Sequence, residues 1–350
     1  MSLPAALLSL SPEEGARRLA LDFLDQAAAA RERLHDPADA EALHDFRVAL
    51  RRLRSTLRSY RPYLEESLPK KLRRRIRDLA RSTGPGRDIE VQLEWLRERS
   101  RHLAGHHRAG LAWITGRLEE QMREAYSGMI EQLPEEFPDI EKDLRQRLSV
   151  YRTEVHLDAE TERPTFAAAT AGILRRQALE LESHLARVDS VEDEEEAHEA
   201  RIVAKRVRYL LEPLVGQSRD LPEADAIVKR LKGLQDLLGE LHDAHVLETE
   251  LAAAVETAAA ERARRILELS LSYMPDDNLL RVERRRSRES GLIALTRLNR
   301  ARRDRLFSET EKEWLDGRAG DLLGRLEALA ESMSGLPAHQ EEDPGEDRQE

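Results

Sequence analysis

The chain has 350 residues, of which 36% are charged, 40% hydrophobic and only 4% aromatic, and its formal net charge is −11. This composition favours long helices over β-sheets, which draw on aromatic and β-branched residues. The lack of cysteine excludes disulfides, thiol catalysis and thiolate metal sites, and no apolar run approaches the length of a membrane span.

Apolar residues recur with a helical period along most of the chain, between short Pro, Gly, Asp and Ser clusters. Residues 1–12 are predicted to be flexible and lack the basic stretch of a signal peptide, so a cytoplasmic location is expected. Helices are predicted at 13–34, 39–61, 67–83, 88–104, 107–133, 138–157, 164–188, 194–212, 222–240, 243–270, 275–305 and 308–334. Prolines mark several of the stops, among them Pro62, Pro134, Pro138 and Pro213. The prediction is an all-α protein with a C-terminal helix at 316–335 and an acidic, disordered tail at 336–350.

Basic and acidic residues are segregated along the chain. The segment from His44 to Arg81 contains thirteen Arg or Lys and four Asp or Glu. The segment from Arg201 to Lys232 contains eight and four, and the segment from Arg281 to Arg305 contains ten and three. Seven acidic residues and no base lie between Asp189 and Glu199. Such clustering indicates a polyanionic partner despite the negative total.

An internal repeat organises the chain. The segment LHDFRVALRRLR (Leu43–Arg54) aligns with AHEARIVAKRVR (Ala197–Arg208) at an offset of 154 residues. A second pair, RRIRDLARSTGPGRDIEV (Arg74–Val91) and KRLKGLQDLLGELHDAHV (Lys229–Val246), aligns at an offset of 155. Two blocks in the same order at nearly one offset predict two bundles of about four helices each, related by a pseudo-two-fold axis.

The first block carries a basic stripe on one face of its helix. At 100° per residue, one arc of about 80° holds a histidine and four arginines, directly beside the apolar face. The stripe of the first half consists of His44, Arg47, Arg51, Arg54 and Arg58, and that of the second half consists of His198, Arg201, Lys205 and Arg208. Because each stripe borders the core face and contains no carboxylate, we expect it to line a groove or pore.

A second pair of cations accompanies each stripe on the neighbouring helix. Arg74 and Arg77 in the first half align with Lys229 and Lys232 in the second, each pair at i,i+3 spacing. Donors at this spacing repeat about every 5–6 Å, and guanidinium groups make planar contacts with phosphate oxygens. A linear polyanion could therefore lie along the stripes.

Other repeated residues have simpler explanations. Asp88 and Asp243 follow predicted turns, where Asp is a preferred N-cap. We therefore predict that both are helix caps, with metal binding or catalysis as the alternative. Gly84 and Gly239 fit turns or close helix packing better than a phosphate cradle. The basic stretch 281–305 fits either a solvated face or an additional binding rim.

The paired motif H-x-x-R-x-x-x-[RK]-x-x-R, followed by a basic pair and G-x-x-x-D-x-x-V, resembles the CHAD family (conserved histidine α-helical domain). The resemblance covers about residues 13–315, with bundle one at 13–157 and bundle two at 164–315. It implies two pseudo-two-fold-related four-helix bundles, a central basic pore or groove lined by both stripes, and non-catalytic binding of inorganic polyphosphate, often at polyphosphate granules. No CYTH domain pattern is present. Ser82–Gly86 and Leu237–Leu241 differ, so the two bundles are expected to differ at that turn.

Three alternatives stay open from the sequence. A metal protein is suggested by His242 and His245 with Asp243, and by His102, His106 and His107, although no further ligand is apparent. A phosphohydrolase or kinase needs carboxylates for Mg²⁺, which the stripes lack. A nucleic-acid-binding module needs aromatic platforms, for which only Phe46, Tyr60, Tyr63 and Tyr209 lie near the basic helices. We therefore expect no cofactor, no metal, no enzymatic activity and no membrane contact, and the oligomeric state is left open.

Overall fold

The computed structural model describes residues 7–36, 39, 41–101, 103–150, 164–215, 221–271, 278–279, 281–282 and 288–337. Within these residues every element is helical and no strand is present. The α-helices are α1 (Pro12–Arg33), α2 (Ala42–Ser59), α3 (Arg61–Leu64), α4 (Lys70–Ser82), α5 (Pro85–Ser100), α6 (Arg108–Leu148), α7 (Phe166–Leu185), α8 (Glu194–Leu211), α9 (Ala224–Ser270), α10 (Arg288–Trp314) and α11 (Gly320–Ser334). Short 3-10 turns occupy Leu7–Ser9, Gly105–His107 and Glu212–Leu214. The all-α prediction is confirmed.

Three predicted helix breaks are wrong. The break predicted between residues 305 and 308 is absent, because α10 runs unbroken from Arg288 to Trp314. The other two lie at local helix-breaking signals. The α6 helix continues through Pro134 and Pro138, because Leu133, Phe137 and Ile140 are all buried in one core. Likewise α9 continues through the predicted interruption near residues 241–242, where Leu238, Leu241 and Ala244 keep one buried face without a break. Tertiary burial therefore overrides the local helix-breaking signal at both places.

The segment predicted to be flexible at the N-terminus is partly ordered. Leu7 and Leu8 form a 3-10 turn and are 1% and 6% exposed. The backbone N–H of Phe166 donates to the carbonyl of Leu10 at 2.7 Å, which fixes this segment to the start of α7. Ser11 then caps α1 by accepting a hydrogen bond from the N–H of Glu14. Leu7 and Leu8 thus belong to the core, and residues 9–11 connect them to α1.

The main hydrophobic core joins the two halves of the chain. Phe166 on α7 is fully buried, stacks on Tyr60 with ring centroids 4.8 Å apart, and covers Gly15 of α1. A Cβ on Gly15 would lie 2.4 Å from the Phe166 ring, so the close approach of α1 and α7 requires glycine. The Tyr60 hydroxyl shares a buried hydrogen bond of 2.7 Å with Thr170. The first and second halves therefore fold around common side chains.

A second, smaller core lies at the other end of the molecule. It is built by α5, the start of α6, the second part of α9 and the start of α10, and includes Leu93, Leu96, Ile114, Leu118, Leu247, Leu251, Leu292 and Leu295. Gly110 of α6 and Gly291 of α10 cross so closely that a Cβ on either would lie 2.3 Å from a backbone oxygen of the other helix's segment. Both cores contain residues from the two halves of the chain, and the main core includes the buried faces of α2 and α8.

No helix in the described ranges is long and apolar enough to cross a membrane.

Candidate polyanion-binding site

The two basic stripes meet where α2 packs against α8. Arg51 Nη1 donates to the hydroxyl of Tyr209 at 3.3 Å, across 158 residues of sequence. One turn further, Glu212 accepts from Arg52 of the first half at 2.9 Å and pairs with Arg208 of the second half at 3.0 Å. The Arg208 guanidinium also lies over the Tyr209 ring, 4.9 Å from its centroid. One polar cluster therefore contains cations from both halves.

Arg201 is the half-buried centre of the second stripe. Its side chain lies over α9 at Gly239, where an added Cβ would be 3.5 Å from Arg201 Nε, an ordinary van der Waals contact. The Nε atom is buried and has no hydrogen-bond partner within the described part of the chain. Burial lowers the pKa of Arg201, and the nearby carboxylates of Asp243 and Asp88 oppose this shift. The charge of Arg201 is thus only partly compensated.

Lys205 is the most perturbed cation of the site. Burial, followed by repulsion from Arg201 and Arg51, lowers its pKa to about 7. Arg51 lies on α2 and Arg201 on α8, so the repulsion that acts on Lys205 comes from both halves of the chain. An anion placed here would relieve the repulsion and restore the full charge of the ammonium group.

The repeated histidines occupy different surroundings. His44 is exposed on the first turn of α2, whereas His198 stacks obliquely on His242 of α9 with ring centroids 4.3 Å apart. Burial, followed by repulsion from His198 and Arg201, lowers the pKa of His242 to about 4. Burial and Arg201 also lower the pKa of His198. Burial and the neighbouring cations therefore disfavour the charged form of both His198 and His242.

The first stripe borders a cavity of about 110 Å³. Its charged lining comprises Arg47, Arg51, Arg54, Arg87 and Asp88, and its floor lies at Ala80, Thr83 and Gly84 where α4 ends. Arg47 is held over the ring of Tyr126, 5.4 Å from the centroid, and the Tyr126 hydroxyl donates to Glu90 of α5. Partial burial and the charges of Arg51 and Arg58 lower the pKa of Arg54.

The remaining predicted cations lie further along the same helices. Arg58 is exposed near Arg206 and Glu180, and partial burial lowers its pKa. Arg74, Arg77, Lys229 and Lys232 are all exposed; Arg77 pairs with Asp78 at 3.1 Å and Lys229 with Asp225 at 2.7 Å. Lys232 precedes Asp243 by three helical turns on one face of α9, roughly 16 Å along the axis. These residues can extend the central cluster but do not touch it.

Asp88 and Asp243 are not helix caps, contrary to the sequence prediction. Gly84 precedes α5 and Asp88 lies in its first turn, while Asp243 lies in the middle of α9 because that helix is unbroken. Both carboxylates act on Arg201, and burial raises the pKa of Asp243. The alignment of Asp88 with Asp243 in the repeat was a sequence signal for this shared role, because helix capping alone does not require both carboxylates to lie near one cation.

Tyr209, Tyr126 and Arg87 were not predicted as site residues. Tyr209 has Ser55 at the aligned position of the first half, and Tyr126 and Arg87 carry no pattern that distinguishes them. The two tyrosines orient Arg51 and Arg47 respectively, which depends on helix packing.

The metal and nucleic-acid alternatives gain little from the geometry. Among the described residues no group of three or more His, Asp or Glu is arranged to hold a metal ion; His102 lies outside those residues. His242 and His245 approach Glu194 at 3.6 and 3.7 Å. Phe46 and Tyr60 are fully buried and cannot stack on bases.

The basic stretch 281–305 is mostly neutralised where it is described. Glu248 pairs with Arg300 at 2.5 Å and with Arg303 at 3.0 Å. Glu240 pairs with Arg302 at 3.5 Å. The charge of Arg302 lowers the pKa of Asp243, the carboxylate that acts on Arg201. Among the described residues of this stretch, Arg302 is therefore the one that acts on this carboxylate.

Comparison with known proteins agrees with this architecture. The family model of the CHAD domain matches residues 18–252. The crystal structure of the CHAD domain from the plant Ricinus communis is similar over 97% of this chain and 96% of its own, with a TM-score of 0.57 and 18% identity. PptA from Streptomyces chartreusis is similar over 87% of this chain and 99% of its own, with a TM-score of 0.56 and 16% identity. No curated protein matches the sequence. With the family model covering most of the chain, this protein belongs to the CHAD domain family.

Proposed function

We propose that this protein binds inorganic polyphosphate without chemical turnover and that both basic stripes contact one polyphosphate chain. The observation that carries the proposal is the contact of Arg51 with Tyr209, which joins the stripe of α2 to that of α8. Membership of the CHAD family supports the same reading.

The energetics of the cluster favour an anionic ligand. Arg201 and Lys205 are half-buried, and burial lowers both pKa values. Repulsion from Arg51 lowers both further, and repulsion from Arg201 also lowers that of Lys205. A polyanion supplies the missing countercharge, so part of the cost of grouping these cations is recovered on binding. The exposed pairs Arg74/Arg77 and Lys229/Lys232 continue the basic surface away from the cluster, which suits a long chain better than a single small anion.

Competing ligands and activities fit less well. The buried aromatic residues leave few stacking platforms for single-stranded nucleic acid. Phosphoryl transfer uses carboxylates to hold Mg²⁺, whereas Asp88 and Asp243 are each engaged electrostatically with Arg201. We further propose that such binding places the protein on polyphosphate granules in the cytoplasm.

Competition calorimetry tests the proposal. The purified chain is titrated with long-chain polyphosphate, and then with single-stranded DNA of equal charge, each with and without Mg²⁺. We expect polyphosphate to displace the DNA and to remain intact in a phosphate-release assay. Equal or stronger binding of DNA contradicts the proposed ligand. Sustained phosphate release that Asp88→Asn or Asp243→Asn abolishes contradicts the absence of turnover.

A further inference from the structure

The two halves differ at the repeated glycine. In the first half α4 ends before Gly84 and α5 begins after it, and the cavity of about 110 Å³ lies beside this helix interruption. In the second half α9 runs unbroken through Gly239, and the Arg201 side chain covers that position. The space that is open in the first half is therefore filled by a guanidinium in the second.

Four arginines line the cavity: Arg47, Arg51, Arg54 and Arg87. Tyr126 holds the Arg47 guanidinium in place, and the Nε and Nη2 atoms of Arg47 are buried without a hydrogen-bond partner within the described residues. The volume of the cavity is below the ~150 Å³ of cavities that hold a benzene molecule. The cavity thus accommodates one phosphoryl group at a time, whether this group ends a chain or belongs to a ring whose other units stay outside.

Asp88 gives the cavity a chemical preference. Its carboxylate lines the same space and, when ionised, can only accept hydrogen bonds. An internal phosphoryl unit of polyphosphate is fully ionised at neutral pH and has no O–H to donate. A terminal unit keeps a second O–H that ionises near pH 6, as in phosphate monoesters. The terminal unit can donate to Asp88, whereas an internal unit meets only its repulsion.

We propose that this cavity binds the terminal phosphoryl group of a polyphosphate chain. Arg47, Arg51, Arg54 and Arg87 contact its ionised oxygens, and Asp88 accepts a hydrogen bond from its O–H. The rest of the chain then continues past Tyr209 onto the second stripe. The inference rests on the proposed function and adds a direction to it, because one end of the chain is held in the first half.

Linear tripolyphosphate and cyclic tetrametaphosphate separate this model from simple charge attraction. The ring carries about four negative charges and the linear compound no more than about four near pH 6, where its terminal group is partly protonated. Binding of both compounds to the full chain is measured at about this pH. Only the linear compound has ends, and we expect it to bind about tenfold or more tightly, the value of one charge-assisted hydrogen bond.

Two aspartate variants provide the decisive pair. Asp88→Asn removes the repulsion and adds an N–H donor, so the cyclic compound gains affinity and the linear preference falls several-fold. Asp243→Asn makes the same charge change beside Arg201 but outside the cavity, so we expect it to keep the preference. Arg87→Gln is expected to weaken the linear compound more than the cyclic one.

The outcomes distinguish this inference from the proposed function. If long-chain polyphosphate binds tightly but the linear and cyclic compounds bind equally, end binding is wrong and the proposed function stands. If Asp88→Asn and Asp243→Asn change the preference equally, the effect is general electrostatics and the assignment to the cavity is overturned. If no phosphate chain binds, the proposed function itself fails. Helical circular dichroism of each variant checks that it is folded.

Discussion

The two copies of the repeat carry nearly the same residues in different surroundings. On α2 the cations of the first stripe are mostly exposed and border an open cavity. On α8 the aligned cations are half-buried against an unbroken α9, and Lys205 and His242 have pKa values lowered to about 7 and 4. Burial decides how readily each copy keeps its charge, although the residue types are shared.

Because of this difference in burial, the two halves contribute differently to anion binding. The first half offers permanently charged arginines and open space, whereas the second half offers cations that gain charge when an anion arrives. We therefore expect the first half to determine how much of the polyphosphate chain is contacted. We expect the second half to determine how binding and stability depend on pH. Each of the following predictions compares one half with the other.

Salt dependence gives the largest expected effect. If about six or more cations from both halves contact one chain, counterion release should lower affinity about 10³-fold between ~50 and ~200 mM salt, as for nucleic acids. Neutralising Arg47 and Arg54 to Gln, or Arg201 and Arg208 to Gln, should each reduce the logarithmic slope by about two. Fluorescence titrations at several salt concentrations measure the slopes. A slope that changes for only one pair would restrict the site to that half.

Charge reversal gives the next largest effect. Arg47→Glu and Arg201→Glu should each weaken polyphosphate binding about tenfold or more, because a charge-assisted bond contributes roughly 1.5–3 kcal/mol and both side chains are half-buried. The double variant should lose more than either single one, without strict additivity. Calorimetry measures the affinities.

Lys312→Glu is the control for these reversals, since it makes the same charge change on an exposed part of α10. If it weakens binding as much as Arg47→Glu, overall charge explains the result. If Arg201→Glu binds like the unmodified protein, one chain does not span both halves.

Removing the perturbed lysine should stabilise the unliganded protein. The pKa of Lys205 is about 7 in the folded state and near 10.5 when unfolded, so the unfolded state binds more protons between these values. The free energy of unfolding should therefore rise with pH across this window. Lys205→Met should raise stability at pH 7 by about 1–3 kcal/mol and flatten the rise.

Arg51→Met is the matched comparison in the first half. Arg51 is exposed, so its replacement should change stability by less than about 0.5 kcal/mol. Urea denaturation at pH 7 and near pH 9 measures both variants. Equal effects of the two substitutions would show that burial does not distinguish the halves.

The smallest effect concerns the carboxylate shared between the halves. Glu212 holds Arg52 of α2 and Arg208 of α8. Glu212→Gln should free both guanidiniums and raise polyphosphate affinity about two- to fivefold, the scale of partly exposed ion pairs. Calorimetry measures the change, and Glu223→Gln, which breaks the peripheral pair with Arg325, serves as control. Weaker binding of Glu212→Gln would indicate that the carboxylate orients the arginines productively.

The sequence predicted the stripes because period and spacing are local properties of a helix. His44, Arg47, Arg51 and Arg54 share one face of α2 whatever that helix packs against. The repeat likewise predicted that the second half has an equivalent helix, and the differing residues at Ser82–Gly86 and Leu237–Leu241 correctly marked the place where the halves diverge. The all-α class followed from the same periodicity.

Sequence alone determined which residues are basic, on which helix face they lie and that the pattern occurs twice. Tertiary structure decided which prolines and turns interrupt a helix, since the burial of Leu133 and Phe137 keeps the chain helical through Pro134. It also decided that Asp88 and Asp243 converge on Arg201 and that Tyr209 meets Arg51. The interactions of Asp88 with Arg201 and of Tyr209 with Arg51 join residues more than 100 positions apart, and only the packing of both halves around shared cores fixes their distance. Burial, and with it the charge of Lys205, is likewise a property of the assembled fold.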